Sequence, residues 1–137
     1  MSAKPFFDTS VAIYAVTADP ERTPYAQELL ADGGMISVQV LNEMVSVLRR
    51  KFNMEWEEVE LALTLVHDQC PGCSSMTTKT HQAALKIARE YRYHIYDSLL
   101  IASALQSGCS VLYSEDMQDG QRIEGLTIRN PFVQTAS

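Results

Sequence analysis

Apolar residues recur along this chain first in short runs and then at spacings of three and four, and that alternation repeats to its carboxyl end. Residues 5–7 (PFF) form a short strand, with Pro5 at its first position, where a missing N–H does least harm. A helix over about 10–16 follows, then a loop rich in Asp, Pro and Thr, then a second helix with Pro24 in its first turn, stopped by Asp32-Gly33-Gly34. Met35 and Ile36 make the next strand, and Ser37 caps a helix reaching about Lys51, in which Val38, Leu41, Val45, Leu48 and Phe52 fall on one stripe. Further helices are expected over about 55–69, 80–92 and 97–107, and further strands at about 73–76, 111–113 and 126–128. The helix from Asp97 is apolar nearly all round, the pattern of a buried helix. Strands alternating with helices over residues 1–137 predict a single α/β domain: a short parallel sheet, of about five strands, covered on both faces.

Composition adds limits. With 137 residues, 46% hydrophobic and 20% charged, the chain suits one ordinary globular core. Asp8 interrupts the first apolar stretch before a secretory core could form, the apolar runs are too short to span a bilayer, and the three cysteines are odd in number. These features predict a reduced, cytoplasmic protein without a membrane segment. The net charge of -6 opposes nucleic-acid binding through bulk electrostatics.

The chemistry lies in the acids that follow strands or open helices, because ligand sites in open parallel sheets lie beyond the carboxyl ends of the strands. Asp8 follows the first strand, Glu43 borders the apolar face of the helix after the second, Asp97 opens the buried helix, and Glu115, Asp116 and Asp119 cluster in SEDMQDG. Singly, each has an ordinary explanation as a helix cap, a solvated side chain or a polar turn. Jointly, the winding of the sheet sends Asp8, Asp97 and Asp116 out at one end, where Glu43 leans in. Two carboxylates ~4 Å apart at an effective dielectric of ~20 repel by about 4 kcal/mol. Such a group needs either raised pKa values or a bound cation, and oxygen donors alone favour Mg²⁺ or Mn²⁺, the metals of phosphodiester sites.

PFFDTSVAIY, ISVQVLNEMVSVLRR, YHIYDSLLIASAL, VLYSEDMQDG and GLTIRNPF together resemble the PIN-domain nucleases, specifically the VapC-type toxins of toxin–antitoxin pairs. The resemblance runs nearly end to end and implies a PIN-like three-layer fold and a Mg²⁺- or Mn²⁺-dependent endoribonuclease. It gives Asp8, Glu43, Asp97 and Asp116 the roles of catalytic metal ligands. Thr9, Ser10 and Ser114 become hydroxyls that orient ligands or water, and Asp119 a weaker outer acid. Glu115 is left unassigned, as a side chain that can point away from the site; separately, the segment departs from the family pattern around the outer metal shell, with three acids and Gly120 where many relatives have fewer acids and an aromatic residue. The family further implies an RNA substrate, a homodimer and a cognate antitoxin whose basic or aromatic side chains fill the acidic cleft. Arg49, Arg50, Lys51, Lys86, Arg89 and Arg92 either contact phosphate or serve as helix-end and surface charges.

Other classes fit less well. His67, Cys70 and Cys73 (HxxCPGC) suggest zinc or redox chemistry, but the pair sits at the wrong end of its helix for an activated thiol and lacks an obvious fourth zinc ligand. A phosphatase with a strand-end aspartate needs a second aspartate where Ser10 stands, and an Asp-x-Ser-x-Ser adhesion motif fails at Ala12. The rival that remains is a catalytically silent PIN-like module that binds RNA or a partner.

Overall fold

The computed structural model describes residues 4–133. In chain order the elements are β1 (Phe6–Phe7), α1 (Thr9–Ala15), α2 (Arg22–Ala31), β2 (Met35–Ser37), α3 (Val38–Arg50), α4 (Trp56–Gln69), β3 (Gly72–Ser74), α5 (Thr78–Tyr91), α6 (Ile95–Gln106), β4 (Val111–Tyr113), β5 (Arg122–Ile123) and β6 (Leu126–Arg129). The strands form one sheet in the order β3-β2-β1-β4-β6-β5, parallel except for the edge pair β5 and β6. No described helix is long and apolar enough to cross a membrane.

The winding direction reverses at β1. The chain steps outward from β1 through β2 to β3, then returns to lay β4 on the other side of β1. Right-handed crossovers place α1–α4 on one face and α5 and α6 on the other. The packing agrees: α1 lies on α2 and α3, and α3 on α4, whereas α5 packs on α6, which crosses β2, β4 and β6. The reversal leaves a crevice at the carboxyl ends of β1 and β4, the position where open α/β sheets hold ligands.

Three sequence expectations change. The sheet has six strands, one of them antiparallel, because Glu124 and Gly125 both take positive φ (53° and 109°) and close a two-residue hairpin between Ile123 and Leu126. In α3 the buried line is Val40, Met44 and Leu48, while Val38 and Phe52 are exposed. This helix has apolar residues enough for two overlapping stripes, and its docking onto the sheet selects one. In α6 the cap is His94, whose Nδ1 accepts from the Tyr96 N–H at 3.4 Å, so Asp97 lies inside the first turn rather than at the cap. Ser37 does cap α3, accepting from the Val40 N–H at 3.3 Å, and every residue from Ser98 to Ala104 is buried.

Candidate active site

β1 is anchored on both sides. Phe6 and Phe7 are fully buried, and the Phe7 ring stacks on Tyr113 of the neighbouring strand β4, 5.9 Å between centroids. Pairing of Phe7 with Tyr113 brings the next residues of the two strands together. The Asp8 N–H donates to the Tyr113 carbonyl at 3.0 Å, and the Ser114 Oγ donates to Asp8 Oδ2 at 2.6 Å. The other carboxylate oxygen, Oδ1, accepts from the Thr9 N–H at 2.6 Å, which also makes Asp8 the cap of α1. Capping and site chemistry therefore share one side chain. The Ser114 Oγ in turn accepts from the Asp116 N–H at 3.2 Å, tying the loop after β4 to the same carboxylate.

Glu43 is aimed from α3 by two neighbours. Thr9 Oγ1 donates to its Oε2 at 3.0 Å, and Gln39 Nε2 donates to its Oε1 at 2.6 Å and to the Tyr96 carbonyl at 3.1 Å. Gln39, a residue the sequence reading passed over, is buried although polar. Its spacing of four from Glu43 was the available signal. Asp8, Glu43, Asp97 and Asp116 line one cavity of about 400 Å³ together with Thr9, Ser10, Tyr14, Lys51, Phe52 and Glu115.

The electrostatics follow from burial. Asp8 is 4% exposed, and its pKa rises to about 7. Desolvation is the main cause; the Ser114 and Thr9 hydrogen bonds oppose it, and repulsion from Asp116 and Asp97 adds to it. The Asp97 pKa is also raised, first by burial and then by Asp116, with Glu43 adding and His94 opposing. A carboxyl whose folded pKa lies above its unfolded value holds its proton more tightly in the native state. Metal-free protein therefore loses stability between about pH 4 and pH 7, by up to about 4 kcal/mol from Asp8. Urea unfolding in chelator across that range should show a decline that Asp8→Asn reduces; equal pH profiles for the two proteins would contradict this assignment.

The acids are all oxygen donors, and the Ser10 Oγ beside them is buried without a hydrogen-bond partner. That donor set fits a hard divalent cation. Among the described residues no three acidic, His or Cys side chains already converge tightly enough to enclose one.

The PIN-domain sequence pattern matches residues 6–121, most of the chain. The chain belongs to the PIN-domain family. PIN domains are nucleases as a family. No curated protein matches the chain, but solved structures do. Mycobacterium tuberculosis VapC20, a sarcin-ricin loop cleaving toxin, superposes with a TM-score of 0.68 at 21% identity over 82% of this chain and 89% of that one. A toxin–antitoxin complex from Klebsiella pneumoniae gives 0.69 at 20% identity over 96% of this chain and 98% of that one. VapBC2 from Rickettsia felis, bound to a DNA fragment from its promoter, gives 0.68 at 20% over 92% and 97%. These likenesses share the fold.

This PIN domain uses its remaining acids differently. Both Glu115 oxygens are engaged, Oε1 by the Tyr14 hydroxyl at 2.9 Å and Oε2 by the Arg22 Nε at 2.5 Å. Asp119 does not line the cavity; its Oδ1 accepts from the Asn130 N–H at 2.9 Å and ties the loop after β4 to the end of β6. Cys70 is buried at the end of α4, and desolvation pushes its thiol to about 11, with the Gly34 N–H opposing. Burial also raises the Cys73 thiol. Neither has the lowered pKa of a reactive cysteine.

Proposed function

We propose that this PIN domain is a Mg²⁺- or Mn²⁺-dependent endoribonuclease, the toxin of a toxin–antitoxin pair. The observation that carries the reading is the convergence of Asp8, Glu43, Asp97 and Asp116 on one cavity at the sheet's reversal point. The resemblance to toxins, one of them cleaving the sarcin-ricin loop and another in complex with its antitoxin, supports the toxin role. A homodimer, an RNA substrate, a cognate antitoxin and a cytoplasmic location belong to the same proposal.

Asp8, Glu43, Asp97 and Asp116 would hold the metal. When bound, the metal activates water and stabilises charge on the scissile phosphate. The chain's own contribution is positional. Ser114 and the Thr9 N–H fix both oxygens of Asp8, and Thr9 and Gln39 fix those of Glu43, so the two carboxylates are oriented before substrate enters. Ser10, whose hydroxyl is enclosed and without a hydrogen-bond partner, belongs to the same proposal as a residue that would orient a ligand or water. A cation would offset the repulsion that Asp116 and Asp97 add at Asp8, while the desolvation that chiefly raises the Asp8 and Asp97 pKa values makes protons compete with the metal, so uptake should strengthen as pH rises.

The test is cleavage of structured RNA by purified protein with Mn²⁺ or Mg²⁺, and again after chelation. Metal should support cutting and chelator should abolish it. Cutting undiminished by chelator, or none across several metals and RNAs, would refute the proposal.

A further inference from the structure

Lys51 and Phe52 stand in the wall of the acidic cavity, and the chemistry above uses neither. Five carboxylates around a cavity repel a polyanion unless cationic groups meet its phosphates. Among the described residues lining it, Lys51 is the one cation, and it makes no ion pair with any described residue. Arg22, the alternative nearby, is bound to Glu115 and Asp19 and lies over the rings of Tyr14 and Phe132. Phe52 is 44% exposed, a large ring left facing solvent at the cavity wall. A free ammonium beside an exposed ring is the combination that grips single-stranded nucleic acid: a base stacks on the ring while the amine meets a phosphate.

The turn that presents them is fixed in advance. The Lys51 N–H closes α3 on the Val47 carbonyl at 2.8 Å, Asn53 takes a φ of 51°, and the Met54 N–H returns to the Leu48 carbonyl at 3.2 Å. Arg49 Nη1 donates to the Met54 carbonyl at 2.8 Å, and its guanidinium lies 4.5 Å from the centre of the Trp56 ring. Little backbone ordering is left for a ligand to impose, which favours binding.

We infer that Lys51 and Phe52 form the edge of the site that selects an unpaired RNA nucleotide beside the scissile phosphate, Phe52 stacking on its base and Lys51 contacting its phosphate. The inference rests on the nuclease proposal and narrows its substrate class. Bases in a duplex are already stacked on each other, so the substrate presents a single-stranded or loop segment at this edge.

The experiment is fluorescence anisotropy of a labelled single-stranded oligoribonucleotide with Mn²⁺ and Asp8→Asn protein, to which Phe52→Ala, Phe52→Trp and Lys51→Ala are added singly. Phe52→Ala should weaken binding about tenfold, and Phe52→Trp should retain it. Lys51→Ala should weaken binding and lower the slope of log affinity against log salt by about one. A duplex of the same sequence should bind more weakly than the single strand. No binding by the parent, parental affinity in both alanine variants, or equal affinity for duplex would overturn the inference. Binding that depends on both residues, in a protein whose wild-type form cuts no RNA, would uphold the edge while removing the nuclease proposal.

Discussion

Asp8→Asn should lower RNA cleavage by more than about a hundredfold, or at least about 2.7 kcal/mol of transition-state stabilisation. The substitution is nearly isosteric but removes the charge from the carboxylate at the centre of the cavity, where Ser114 and Thr9 hold it. Expressed in cells, the wild-type chain should slow growth and the variant should not. Loss of activity through misfolding is separable, because the variant lacks the buried charge whose pKa is raised to about 7. In chelator above pH 7 it should be at least as stable as the wild type. A variant that cleaves at the wild-type rate would remove Asp8 from the chemistry, and one that unfolds more readily would make its role chiefly structural.

The second large effect is on stability. Phe7→Ala should cost about 3–5 kcal/mol, a large share of the ~5–15 kcal/mol typical of a domain. The ring is wholly buried, stacks on Tyr113, and fills the space left by a missing side chain at Gly34, where a Cβ would come within 2.3 Å of Phe7 Cε2. A cavity there has rigid strands on either side and little means of collapsing. Phe52→Ala, on an exposed ring, should change stability little, so the pair separates an aromatic that holds the fold from one available to a ligand. Chemical denaturation of both variants measures the contrast; similar losses in the two would contradict it.

Much of the architecture was legible because local chemistry and global packing agree. Ser37 caps the helix it precedes, the Ser98–Ala104 stretch is buried all round, and the short apolar runs after polar loops are strands. The edge strand β5 was not legible, since a two-residue strand joined by Glu124-Gly125 lacks the usual Asn-Gly signal. The buried face of α3 is not legible for another reason: its periodicity fits more than one stripe, and only docking distinguishes Val40–Met44–Leu48 from the line ending at Phe52.

The sequence by itself determined the element types, the parallel α/β class and which acids follow strands or enter helix starts, because periodicity and capping are properties of neighbouring residues. Tertiary structure alone decided that Thr9 orients Glu43, that Ser114 serves Asp8, that Asp119 ties a loop instead of lining the cavity, and that Glu115 is matched by Arg22. Those pairings join residues as far as 106 positions apart, and no local preference encodes them. They arise where the sheet reverses direction at β1 and brings separate strand ends to one crevice.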